Sequence, residues 1–85
     1  MAFKKEIKEI KHEIINNIGV ISQNSSGWKM ELNRVSWSGA EPKYDLRDWA
    51  PEHEKMGKGI TLTEEELRSL KAIIDEEIKF LDADL

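Results

Sequence analysis

A chain of 85 residues, 39% hydrophobic and 35% charged, with five Gly, two Pro and no Cys, has the composition of one small globular domain. It excludes a disulfide framework and thiol chemistry, and no apolar run approaches the ~20 residues of a membrane span. The formal net charge of −4 speaks against a polyanionic partner until its distribution is considered: residues 1–11 carry +2, residues 12–62 carry −1 and residues 63–85 carry −5. An acidic C-terminal helix would hold most of the negative charge and leave another face free to be locally basic. So short a chain buries little core alone, which predicts an oligomer. The N-terminal MAFKKEIKEIKHEI lacks the continuous apolar core of a secretory signal, so a reducing, cytoplasmic compartment is expected.

Residues 1–10 space Phe3, Ile7 and Ile10 as a helix would but carry no cap; they are expected to form a flexible or short helical extension to a single domain at residues 11–85. The Ile- and Val-rich run from His12 to Gln23 predicts a first strand, closed by the turn-forming Asn24-Ser25-Ser26-Gly27. Trp28 to Ser38 alternates, with Trp28, Met30 and Leu32 on one side and Lys29, Glu31, Asn33, Val35 and Trp37 on the other, and predicts a second. After the Ser38–Pro42 loop, a third strand runs from Lys43 to Trp49, where Tyr44 and Leu46 oppose Asp45, Arg47 and Asp48. A polar loop leads to a short fourth strand at Lys58–Leu62. Thr63 with Glu66 three residues on is a capping box, and Leu67, Leu70, Ile73, Ile74, Ile78 and Leu81 then make one apolar stripe. The expected fold is α+β, a four-stranded antiparallel β-sheet followed by a C-terminal α-helix.

If Leu46, Met30 and Leu32 face the helix, alternation sends Lys29, Asn33, Trp37, Lys43, Arg47 and Trp49 to the opposite, more exposed face. Indoles beside cations suit single-stranded nucleic acid, whose unpaired bases stack on aromatic faces while cations neutralise phosphates. The competing reading uses all three Trp as core or dimer-interface residues. Arg34 falls on the core face of a strict pleat; a bulge near Asn33 would free it, and otherwise it should pair with an acid. Glu52-His53-Glu54 cannot converge on one ion, His12 is remote, and no nucleophile or phosphate-cradling loop is present. Neither a metal, a cofactor, a small-molecule substrate nor an enzymatic activity is expected. Gly57 and Gly59 around Lys58 allow either close backbone approach to a ligand or a tight turn.

YDLRDW, followed after a polar loop by KMGKGITLTEEEL and preceded by RVSW, resembles the transcriptional coactivator positive cofactor four family. The run GWKMELNRVSWSGAEPKYDLRDWAPEHEKMGKGITL is closer still to its bacterial YdbC-like branch, and the likeness covers about residues 11–80. The resemblance implies an intertwined homodimer, its helices contributing Leu67, Leu70, Ile74 and Ile78 to the interface, and binding of single-stranded DNA with little sequence preference. By position it makes Trp37 an aromatic ridge residue and Lys43 a basic residue opening strand three. Arg47 becomes the Arg of the I/L-R motif and Lys58 the Lys of the K-G-I-S/T-L motif; Lys55 fits a basic loop position if a gap is allowed. Lys29 and Trp49, placed by alternation, and Arg34, if a bulge near Asn33 frees it, complete the expected nucleic-acid contacts. The Ser38–Pro42 loop is longer than in eukaryotic members, and Trp49-Ala50-Pro51 stands where those continue with a second aromatic, so Trp49 either stacks on bases or packs against the loop. The function expected is a non-enzymatic single-stranded DNA-binding protein of transcription, replication or repair; the alternatives are a protein-interaction adaptor and an RNA-binding module.

Overall fold

The computed structural model describes residues 11–83, and the extension expected at residues 1–10 lies outside them. Strands β1 (His12–Gln23), β2 (Lys29–Trp37), β3 (Lys43–Trp49) and β4 (Met56–Leu62) precede one helix, α1 (Glu64–Ala83). They form a single antiparallel sheet in the order β1-β2-β3-β4, each strand paired with its sequence neighbour. This is the expected α+β architecture. No helix among the described residues is long and apolar enough to cross a membrane.

The β1–β2 turn is built on Asn24, whose Oδ1 accepts from the amides of Ser26 at 2.9 Å and Trp28 at 3.1 Å. Gly27 takes φ 89° there, and a Cβ on it would press on Pro51 Cγ at 3.2 Å.

β1 does not alternate. Its pairing with β2 slips between Ile14 and Asn16, between Asn17 and Gly19, and between Val20 and Ser22, so three residues of β1 run beside two of β2. Ile14, Asn17, Val20 and Gln23 therefore share a face with Val35, Asn33, Glu31 and Lys29. Repeated bulges bend and twist a strand, and the sheet curls accordingly. Lys29 and Trp37 would stand ~26 Å apart on a flat strand at about 3.3 Å per residue. Yet His12, paired with Trp37, brings its ring within 5.3 Å of Trp49, which is paired with Lys29. The face carrying these side chains is concave.

At the other edge β4 begins at Met56, two residues earlier than expected, because a bulge between Arg47 and Trp49 lets Gly57 and Lys58 oppose Asp48 alone. Gly59 sits across from Arg47, and a Cβ on it would collide with Arg47 Cβ and the carbonyl oxygen of Leu46. The residue is glycine because two backbones meet there.

The capping box forms as the sequence predicts. The Thr63 hydroxyl accepts from the Glu66 amide at 3.1 Å, and Glu66 Oε1 accepts from the Thr63 amide at 2.9 Å. One turn in, Glu64 holds Arg68 at 2.7 Å and raises the guanidinium pKa above its ordinary value. The apolar stripe stays open: α1 has no buried residue, and Ile73, Ile74, Ile78, Phe80 and Leu81 are exposed. Between the helix and the convex face, Ile21, Leu32, Leu46, Leu62, Leu67 and Ile74 line an open groove of about 500 Å3.

Candidate nucleic-acid interface

The concave face gathers alternate residues of β2, β3 and the end of β4, and every third residue of β1. β2 gives Lys29, Glu31, Asn33, Val35 and Trp37; β3 gives Lys43, Asp45, Arg47 and Trp49; β4 gives Gly59 and Thr61; β1 gives His12 and Asn17. This is the face on which alternation assembles cations and indoles, but it is not the more exposed one. Asn33 and Asp45 are 0% exposed, Trp49 1% and Glu31 4%. Curvature folds the ends of the sheet over its middle, and the Pro51–His53 turn closes one side.

Arg47 and Asp45 lie two residues apart on β3 and so point the same way. Arg47 Nε donates to Asp45 Oδ1 at 2.6 Å and Nη2 to Oδ2 at 2.8 Å, while Nη1 donates to the Gly57 carbonyl at 3.0 Å. Thr61 Oγ1 completes the carboxylate at 3.1 Å. The guanidinium is thus locked in a plane, and it lies 5.0 Å from the centre of the Trp37 ring. Trp37 reaches back to it from the end of β2, where the Ser36 hydroxyl donating to the Ala40 carbonyl at 2.7 Å ties the following loop down.

Four rings run on from there. His12 lies 5.7 Å from Trp37 and 5.3 Å from Trp49, and His53 meets Trp49 edge-on at 4.7 Å. Trp49 is the spine of this row, its indole enclosed by two imidazoles and its faces not offered to solvent. It takes the packed alternative, against the loop, in place of an exposed stacking surface.

His53 ends the row on a second polar cluster. Its Nε2 lies 3.0 and 3.1 Å from the two oxygens of Glu31, whose Oε1 also accepts from Asn17 at 3.2 Å and Asn33 at 3.1 Å. Glu52 and His53 both have left-handed backbones, φ 60° and 58°, a strained pair for non-glycine residues. Three buried polar atoms without a hydrogen-bond partner among the described residues, Asn33 Oδ1, Trp37 Nε1 and Trp49 Nε1, all sit on this one face.

Not every expected contact is on it. Pairing of β2 with β3 is unbroken from Lys29 to Val35, so the bulge that would free Arg34 is absent. Arg34 pleats to the convex face opposite Tyr44, beside Glu41 and Glu64. Lys58 alternates with Gly59 and shares the convex side with Ile60 and Leu62. Lys55 is exposed in the turn after Glu54. Lys29, Trp37, Lys43, Arg47 and Trp49 do come together. His12, Glu31, Asn33, Asp45 and His53 were missed as site residues. The signal for Glu31, Asn33 and Asp45 was their parity with Lys29 and Arg47; for the two histidines no local signal exists. Three cations on this face meet two carboxylates, so the positive potential comes from Lys29 and Lys43, at opposite ends of β2's pairing with β3.

Two comparisons with known proteins bear on this arrangement. A family model described as Transcriptional Coactivator p15 (PC4) matches residues 24–73, from the β1–β2 turn into α1. An uncharacterized protein of Treponema pallidum (strain Nichols) is 42% identical over 64 residues, spanning 75% of this chain and 75% of the relative.

Proposed function

The chain belongs to the transcriptional coactivator p15 (PC4) family, and from that membership we propose that it is a non-enzymatic, homodimeric protein that holds single-stranded DNA against the concave face of its sheet. The observation that carries this reading is the Arg47–Trp37 pair. A guanidinium locked by Asp45 under an indole offers a flat, preorganised, cationic and aromatic platform of the kind unpaired bases stack on, at ~1 to 3 kcal/mol per base. Lys29 and Lys43, with Lys55 from the loop, meet the phosphates that flank the stacked bases. His12 joins the Trp37 ring of the platform to the buried Trp49. Most of these contacts go to the backbone or to base faces and not base edges, so sequence preference along the strand is small. The protein acts in the cytoplasm by holding strands transiently exposed in transcription, replication or repair.

The apolar groove on the convex side supports the homodimer. A second copy laying its own Leu67, Leu70, Ile74 and Ile78 against this groove would cover the surface that α1 leaves open, and would set two concave faces in one particle.

Oligo-dT titration tests the reading: Trp emission is quenched, and log affinity falls with log salt by roughly 0.7 per phosphate neutralised. Trp37→Ala weakens binding and leaves this slope nearly unchanged, whereas Lys43→Ala lowers it by about 0.7. Absence of both quenching and a mobility shift at low salt refutes the proposal, and equal affinity for duplex and single strand replaces it with a less selective partner.

A further inference from the structure

Beside the aromatic row lies a pocket of mixed lining, with Val20, Ala50 and Pro51 beside its polar residues. It has a volume of about 540 Å3 and lies between β1 and the Pro51–His53 turn, with Asn17, Gln23, Lys29, Glu31, Glu52 and His53 in its wall. We propose that it is a base-reading subsite, in which Glu31 selects a nucleobase that presents N–H donors, guanine above all, at one position of an otherwise indifferent strand. The proposal rests on the nucleic-acid reading above.

Its chemistry excludes the backbone. The Glu31 side chain is 5% exposed, so its carboxylate is the buried floor of the pocket, and a carboxylate repels phosphate. What it accepts is an N–H. Asn17 and Asn33 both donate to Oε1 and fix the plane of the carboxylate. The remaining contact to both oxygens is His53 Nε2. His53 is therefore the occupant of the position that a base edge would take.

It is also a displaceable occupant. Its side chain is 36% exposed, it sits on a 3-10 turn with two successive left-handed residues, and its ring meets the buried Trp49 only edge-on. Lys29 at the rim stands where the phosphate of the inserted nucleotide would lie.

The four bases differ in what they can give such a floor. Guanine offers N1–H and the N2 amino group side by side, matching two carboxylate oxygens. Cytosine and adenine offer one amino group next to a ring acceptor. Thymine offers a single N3–H flanked by two carbonyls that face the carboxylate unfavourably. A well-aligned pair of this kind discriminates by about tenfold or more.

The test is competition on the intact protein, using an oligo-dT of fixed length against the same oligonucleotide with one internal deoxyguanosine, deoxycytidine or deoxyadenosine; the strand can slide, so the substituted base finds the pocket. The expected order is guanine about tenfold above thymine, with cytosine and adenine between. Glu31→Gln, which replaces one acceptor by a donor, should compress the guanine preference below about twofold, read as the ratio of affinities for the guanine-containing oligonucleotide and oligo-dT within the variant. His53→Ala empties the pocket and should widen the preference; it tests the same idea if Glu31→Gln does not fold by thermal melt. Equal affinity of the parent for all four oligonucleotides overturns the subsite and leaves the nucleic-acid reading standing, as does an undiminished preference in folded Glu31→Gln. Failure of every oligonucleotide to bind refutes the nucleic-acid reading itself.

Discussion

Asp45→Asn separates what the Arg47 fork does for the fold from what it does for binding. Asp45 is 0% exposed and takes two donors from Arg47 and one from Thr61, while the Arg47 side chain is 14% exposed. Breaking a buried pair by removing one partner costs about 3 to 5 kcal/mol, because the survivor is left buried and uncompensated. Arg47 retains some water and the Gly57 carbonyl, so Asp45→Asn should cost less, about 2 kcal/mol; Arg47→Met strands a fully buried carboxylate and should cost about 4. The double variant removes both charges and should cost about 3, giving a coupling of about 3 kcal/mol. Urea unfolding followed by Trp emission, at one fixed protein concentration, measures all four corners. Binding should split into two effects. Asp45→Asn frees the Arg47 charge from its carboxylate, so the salt slope should steepen by about 0.7, while at high salt, where stacking carries the affinity, the folded variant should bind oligo-dT more weakly because its guanidinium is no longer locked. Additive single costs, or a slope that falls with stability, would show that Arg47 is not held as a preformed cationic platform.

Three further outcomes are expected. Gly59→Ala drives a methyl into Arg47 and the Leu46 carbonyl and should cost about 2 kcal/mol, a fall of about 10 °C in Tm by calorimetry. Thr63→Ala removes the hydroxyl that accepts from the Glu66 amide and should lower the unfolding free energy by about 1 kcal/mol with an unchanged urea m-value. Ile74→Asp should convert a sedimenting dimer to monomer and abolish the rise of Tm with protein concentration that a folding-linked dimer shows; a concentration-independent Tm in the parent rules out such a dimer.

Strand order, the helix and its cap were legible because each has a local cause: turn residues between alternating runs, and Thr63 three residues before Glu66. Alternation also sorted β2 and β3 onto their faces, since neither strand bulges against the other, with the exception of Asp48, which the sequence groups with Arg47 but which pleats opposite Met30 to the convex side. It failed on β1, where three slips convert a period of two into a period of three, and so it could not place His12 beside Trp37 and Trp49. Burial of the concave face was illegible for the same reason, because curvature is a property of the whole sheet. Lys58 is a different case. Plain alternation from Ile60 puts it on the convex side, whereas motif resemblance directed it to phosphate; the Gly57–Lys58 bulge lies N-terminal to that alternation and does not reverse it.

The polarity of the sheet is inverted relative to an ordinary two-layer domain. The face buried within the chain is the polar one, holding Glu31, Asn33 and Asp45, while the apolar face that α1 should cover stays half open. Buried polar groups stabilise little in net terms but fix geometry when they are satisfied, so the chain's internal hydrogen bonds go to rigidity of the concave face. Little hydrophobic stabilisation comes from within the chain: the buried apolar residues among those described are Val35 and Trp49 on the concave face and Ala50 just after it, too few to support a domain of this size. A platform held by hydrogen bonds on one face and a surface awaiting burial on the other are complementary demands on one sheet. A second copy on the convex side would meet the second without touching the first, and on the proposed reading binding and assembly should then be separable by mutation.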